Sequence, residues 1–296
     1  MPDLSVVVPS VNGFADLEGC LRALEAQRAD ADLEVLVVDR LGAELQGRVR
    51  DHFPWVRVIG VERTTTIPEM RATGFDAATA PAIGVIEDHV LVRAGWARSM
   101  LGALGADTPV VGGPIENAAV DTLMDWASFL CEYSHCIPPL PEGTVDWLPG
   151  NNVVYARSVL TAHDGVIREH KWENRLHDAI RDGGTPLTCR PDIVADHKKH
   201  FSFGEYMSQR YLYSRSYAGA RVREAPLTKR LAYAAGSLLL PPVLFMRTVS
   251  RIRAKGRHRG ELNRSLPFIA LFVVAWAAGE LVGYVAGAGD SLSRVT

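Results

Sequence analysis

The chain has 296 residues, 47% apolar and 22% charged, enough for one large domain or a domain with an appendage. A net charge of −2 excludes a general nucleic-acid binder, which needs a basic surface to neutralise phosphates. The charge is uneven: the last part, from about residue 227, is basic and very apolar, while the preceding sequence leans acidic. Of the four cysteines, Cys20, Cys131, Cys136 and Cys189, no pair has Cys-x-x-Cys spacing, which excludes a zinc knuckle or redox dithiol of that kind. Met1–Asp3 lacks a basic region and Leu4–Val8 is too short for a signal-peptide core, so the folded N-terminal part is expected to stay in the cytoplasm with its thiols reduced.

In chain order, Leu4–Pro9 is a β-branched run stopped by proline and predicts a buried strand. Leu17, Cys20, Leu21 and Leu24 repeat at helical spacing after Asp16. Further strands are predicted at Leu33–Asp39, Val56–Ile59 and Ala82–Ile86, with a helix over 69–80, and another strand at Val110–Pro114. Strands alternating with helices at these intervals imply a doubly wound, parallel sheet, in which ligands bind beyond the carboxyl ends of the strands. Asn12, Asp39 and Asp88 all fall at or just after such ends. Residues 115–200 are mixed, with one clear helix at about Glu173–Asp182, closed by Gly183 and Gly184. Tyr206, Arg210, Tyr213 and Tyr217 predict an amphipathic helix over 201–223 that lies at a membrane surface. Two apolar segments follow: Leu231–Met246, short and interrupted by Pro241 and Pro242, and Leu266–Ala288, long enough to cross a bilayer.

Val6–Asn12, Val38–Asp39, Met70–Gly74, Ile86–His89 with Gly95 and Trp96, Gly150–Arg157 and Trp172–Asn174 together resemble glycosyltransferase family 2. The ordered set covers roughly residues 4–200, and no single piece of it is specific. The resemblance implies a GT-A fold, an α/β doubly wound mixed sheet, over 1–200, then an interfacial linker over 201–230 and membrane-anchoring helices over 231–296. It also implies transfer of a sugar, with inversion, from a UDP-, GDP- or dTDP-linked donor to an acceptor hydroxyl, and the membrane anchor points to a lipid-linked or glycan acceptor. By the family's pattern Pro9, Ser10, Asn12 and Asp39 hold the base, Arg71 lies at the diphosphate, and Glu87 and Asp88 stand where the family's acidic motif binds the donor. A Mn²⁺ or Mg²⁺ ion is expected on Asp88, His89 and His197, with histidine favouring Mn²⁺ over the oxygen-seeking Mg²⁺.

The sequence departs from the family in two places. His89 ends an acidic motif that usually closes on a carboxylate, and Asn174 replaces the second acid of the Glu-Asp pair that supplies the base. Glu173 is then the expected base, with Asp178 a less direct substitute one turn on. These changes leave open a catalytically inactive relative that binds a nucleotide sugar or a partner subunit at the membrane. A nucleotidyltransferase or nicotinamide dehydrogenase is disfavoured, because Ser10–Phe14 holds a single glycine where a glycine-rich phosphate loop would be needed. The expected location is the cell membrane with the enzyme domain facing the cytoplasm, and homo-oligomerisation stays open. The basic stretch Arg247–Arg264 favours the cytoplasmic side, so only Leu266–Ala288 is expected to cross, against a competing hairpin of both segments.

Overall fold

The structure is a computed structural model that describes residues 1–295. It divides into two compact units, one of residues 1–118 with 136–198 and one of residues 119–135 with 199–295. Residues 119–135, inside the 1–200 range read from sequence as one domain, fall in the second unit.

The first unit opens β1 (Leu4–Ser10), α1 (Phe14–Gln27), β2 (Leu33–Asp39), α2 (Ala43–His52), β3 (Arg57–Gly60), α3 (Ile67–Ala77) and β4 (Ala82–Ile86). It continues through β5 (Val90–Val92), α4 (Trp96–Ala103), β6 (Val110–Gly112) and β7 (Ile115–Asn117). After α5 (Leu123–Tyr133), which belongs to the second unit, come β8 (Gly143–Val145), β9 (Asn152–Ala156), α6 (Arg157–Ala162) and α7 (Asp164–Ile167). The unit closes with α8 (Glu173–Asp182), β10 (Leu187–Cys189) and β11 (Ala195–His197).

Eight strands form one sheet in the order β3-β2-β1-β4-β9-β6-β10-β8, and β5, β11 and β7 form a second. The first four are parallel and buried apart from the outer β3. Their side chains are aliphatic because both faces of a parallel sheet are covered. β9 departs from the expected parallel pattern and runs antiparallel to both β4 and β6. That reversal has a consequence for the site. Ile86 at the end of β4 pairs with Asn152 at the start of β9, so the residues before β9 reach the same sheet edge as Ser10, Asp39 and Glu87. In the small sheet His197 pairs antiparallel beside Val90, which brings it to His89.

α3 shows why one motif has its spacing. Thr66 and Glu69 form a reciprocal capping box, with Pro68 in the first turn, and fix where the helix starts. Gly74 faces β1, where a Cβ would overlap the Val7 side chain. The glycine of the Arg71-to-Gly74 motif is thus a packing residue that lets α3 sit against the sheet and carry Arg71 to its edge.

The second unit is helical: α5, α9 (Phe203–Arg221), α10 (Leu227–Ser237), α11 (Leu240–Lys255) and α12 (Arg259–Ala286). α9 starts on a Ser202–Glu205 capping box and packs along α12, with Tyr206 against Phe272 and Ser214 at Gly279. Its residues Tyr206, Leu212, Ser214, Ser216, Ala218 and Gly219 are buried, so the amphipathic helix expected at a membrane surface over 201–223 is here a bundle helix packed along α12. Pro241 and Pro242 do not interrupt a helix. They occupy the first turn of α11, where a missing N–H leaves no bond unmade, and α10 and α11 meet there at 56°. α12 begins seven residues before the expected Leu266 and is, among the described residues, the one single helix long and apolar enough to cross a membrane.

Replacing Gly74 by alanine should lower the unfolding free energy by about 1–3 kcal/mol, the usual cost of overpacking. Urea denaturation of the purified variant measures this, and an unchanged midpoint would show that α3 can shift freely.

Candidate active site

Arg71 is the buried centre of the site. Its Nη1 donates to Glu173 Oε2 at 2.6 Å, and its Nη2 lies 3.8 Å from Glu87 Oε1. Burial disfavours the guanidinium charge, but the two carboxylates reverse that and hold its pKa above the ordinary arginine value. Glu173 reaches inward because Gly150 leaves room, since a Cβ there would overlap the glutamate side chain. α8 starts at Glu173 as the sequence predicts and turns this carboxylate toward Arg71.

Glu87 follows β4 and also accepts from Asn151 Nδ2 at 2.8 Å. His89 Nε2 lies 3.4 Å from Glu87 Oε2 and 2.9 Å from His197 Nε2, with the two rings at 90°. One carboxylate oxygen and two imidazole nitrogens thus converge within 4.8 Å of one another, a set able to hold a metal ion. Mixed nitrogen and oxygen donors suit Mn²⁺ and similar first-row ions better than Mg²⁺.

Asp88 points the other way and is fully buried. Its Oδ2 accepts from the Val11 and Asn12 amides at 2.7 and 2.9 Å, and its Oδ1 accepts from Asn12 Nδ2 at 2.7 Å. Oδ1 also lies 2.9 Å from His89 Nδ1. A proton on Nδ1 leaves the Nε2 lone pair facing His197 and Glu87, so Asp88 sets the tautomer that a ligand histidine requires. The expected set of Asp88, His89 and His197 is therefore brought together as Glu87, His89 and His197, with Asp88 behind His89. Burial opposes protonation of His89, but hydrogen bonds and charge from Asp88 and Glu87 push its pKa up to about 10. Glu87 resists burial in turn, held below the usual carboxylate range first by its hydrogen bond to His89 and then by nearby positive charge.

Asp39 is buried and accepts from the Leu41 and Gly42 amides and from Gln46 Nε2, which orders the turn into α2. Ser10 pairs with it across the sheet, and Pro9 with Val38. The Ser10 hydroxyl is buried with no hydrogen-bond partner among the described residues. Pro9, Ser10, Asn12 and Asp39 thus share the edge that carries Glu87.

Three contributors were not singled out from sequence. Asn151 steadies Glu87, and Tyr155 meets buried His177 at 2.6 Å between O and Nε2, behind Arg71 and Glu173. Asn151 and Tyr155 lay inside the quoted Gly150–Arg157 segment. His177 had only its spacing of one helical turn from Glu173 to mark it. Asn152, from the same segment, is structural: it accepts from Trp96 Nε1 and donates to the Pro114 and Ile193 carbonyls.

The large mixed sheet, with an acidic strand end at its carboxyl edge, is the GT-A fold. Residues 5–157, more than half of the chain, match glycosyl transferase family 2, and the chain belongs to that family. It is 24% identical over 254 residues to the pre-mycofactocin glycosyltransferase of Mycobacterium tuberculosis, covering 80% of this chain and 51% of that protein. The chain thus spans about half the length of this curated relative. A shorter match, 30% over 111 residues, covers 34% of this chain and 16% of N-acetylgalactosaminyltransferase 6 of Drosophila melanogaster. Among solved structures, the mannosyltransferase PcManGT from Pyrobaculum calidifontis, in complex with GDP-Man and Mn²⁺, superposes with a TM-score of 0.57 at 16% identity. That match covers 95% of this chain and 87% of the other. S. aureus TarS 1-349 gives 0.51 at 12% identity, covering 95% and 90%. Both show the shared fold.

His177 makes stability pH-dependent. Burial pushes its pKa down to about 4 from 6.5, outweighing the nearby Glu173 charge. Between those values the unfolded chain binds a proton that the folded chain refuses, so stability falls on acidification through this window, by about 2–3 kcal/mol in all. Urea unfolding at neutral and mildly acidic pH should show this loss, and a His177→Gln variant should lack that part of it.

Proposed function

We propose that this chain transfers a hexosyl group, with inversion, from a nucleotide sugar to an acceptor hydroxyl. The observation that carries this reading is the convergence of Glu173, Arg71, Glu87 and the His89–His197 pair at one sheet edge. Pro9, Ser10, Asn12 and Asp39 receive the nucleoside. Arg71 turns from Glu173 toward the diphosphate, because a guanidinium pairs well with phosphate oxygens. Glu173, freed as Arg71 turns to the diphosphate, takes the acceptor's proton as its oxygen attacks the anomeric carbon. Asn174 cannot take this role, because an amide has no basic oxygen of that strength. The residues Glu87, His89 and His197 fit a divalent cation, best Mn²⁺. When bound, such an ion offsets the charge that develops on the departing nucleoside diphosphate. One base and no separate nucleophile favour a single displacement.

The acceptor fits a lipid-linked or glycan hydroxyl. A chain held at the cytoplasmic face of the cell membrane would meet polyprenyl-type carriers there, and the apolar second unit supports such attachment. The alternative, an inactive nucleotide-sugar binder, draws on the 2.6 Å ion pair that occupies Glu173.

Glu173→Gln should cut turnover by about 10²–10⁴-fold, the usual worth of a general base, while nucleotide-sugar affinity measured by calorimetry stays nearly constant. Equal rates for variant and parent would remove Glu173 from the mechanism, and a parent with binding but no transfer or hydrolysis would favour the inactive reading.

Replacing His89 or His197 by alanine should weaken Mn²⁺ binding at least about tenfold, read by electron paramagnetic resonance of free Mn²⁺. Undiminished Mn²⁺ affinity in both variants would place the ion elsewhere.

A further inference from the structure

We propose that the second unit is a monotopic membrane-docking bundle: it lies along an anionic lipid surface, seated by the apolar α10–α11 bend and the basic face of α11, and α12 does not cross the bilayer. This inference is independent of the catalytic reading.

The first support is what surrounds α12. α9 runs beside it over nearly its whole apolar length, from Phe203 against Phe272 to Arg221 donating to the Tyr284 hydroxyl at 2.7 Å. Midway along α12 Arg210 lies 4.1 Å from the Trp276 ring centre, and just past its end Arg215 Nε donates to the Gly287 carbonyl. A transmembrane α12 would carry Arg210 into hydrocarbon alongside Glu280, and charged groups at that depth are strongly disfavoured. Glu280 is already met by Trp276 Nε1 at 2.8 Å and the Tyr284 hydroxyl at 2.7 Å. α12 therefore has the setting of a bundle's core helix, with one outward apolar stripe through Leu271, Val274 and Val285.

The second support is the apolar surface left uncovered. Leu227, Leu231, Leu238, Leu239, Val243 and Met246 are each 54–70% exposed. The first three share one face of α10, at spacings of four and seven residues, and Leu239 sits at the bend. So many large aliphatic side chains turned outward on one helix pair mark a contact surface.

The third support is charge. Along the exposed face of α11, Val243 and Met246 are followed at helical spacing by Arg247 and Ser250, while Thr248, Val249 and Ile252 face the bundle. Arg251, Arg253, Lys255, Arg257 and Arg259 complete six cations in thirteen residues, near the single acid Glu261. One face is thus apolar at its start and cationic at its end. That order matches a helix whose leading part enters the acyl boundary while its trailing part meets lipid phosphates.

The test uses the purified full-length chain and vesicles of phosphatidylcholine with or without phosphatidylglycerol. Sedimentation should show binding only when phosphatidylglycerol is present, with release in concentrated salt. Arg247→Glu, Arg251→Glu and Arg253→Glu combined should weaken binding by about 10²-fold or more, at roughly fivefold per lost charge. Nitrobenzoxadiazole attached to Leu239→Cys should shift to the blue on the anionic vesicles. Unchanged circular dichroism and nucleotide binding would show that the variants remain folded. The chain should also leave cell membranes in alkaline carbonate. Resistance to carbonate would establish a crossing helix, and equal binding or none on both vesicle types would exclude an anionic lipid surface. Either outcome overturns the proposal and leaves the assignment of Glu173 untouched.

Discussion

The site depends on one buried guanidinium. Arg71, on the third helix, balances carboxylates that arrive from two other parts of the chain, Glu87 after the fourth strand and Glu173 at the start of the eighth helix. Removing one partner of such a buried pair leaves an uncompensated charge, which is far more damaging than the pair is stabilising. The local features around it serve its placement. The Thr66–Glu69 capping box fixes the helix start, Gly74 fixes its distance from β1, and Gly150 makes space for Glu173. Three motifs far apart in sequence are thus parts of one electrostatic arrangement.

That arrangement was legible in sequence to the extent that its parts lie on strongly patterned elements. The aliphatic runs at β1, β2 and β4 and the Glu173–Asp182 helix stand where their patterns place them. Most of the shortest strands were not legible. β5, β7, β8, β10 and β11 have three residues each, too few for alternation to register, and they build the small sheet and the far edge of the large one. The direction of β9 could not be read either, because a buried run looks alike whether it pairs parallel or antiparallel. That direction brings Asn151 to Glu87. The helix Ala43–His52 was missed because it is mostly polar and buries only Leu45 and Val49.

The proline pair in the second unit shows the same limit from the other side. Proline inside an apolar run reads as an interruption, here of the short segment Leu231–Met246. Proline is equally at home in the first turn of a helix, and only the chain's path separates the two readings. Here the path bends between Ser237 and Leu240, and what looked like one short segment is the end of one helix and the start of another.

The strand-end motif Glu87, Asp88 and His89 divides its labour in a way its composition does not announce. Three adjacent side chains after a strand cannot all face the same way. Glu87 and His89 turn toward His197, and Asp88 between them turns back under the first strand's exit, where two backbone amides and Asn12 hold it. A carboxylate so fully engaged is poorly placed to bind an ion, yet it is well placed to orient the imidazole beside it. Substituting histidine for the usual terminal acid then has a consistent logic. The change removes one negative charge from a site already holding Glu87 and Glu173, and in the proposed metal site it offers a nitrogen donor once a cation displaces the Nε2 proton. Asp88, hydrogen-bonded to Nδ1, is the support that such a donor would need.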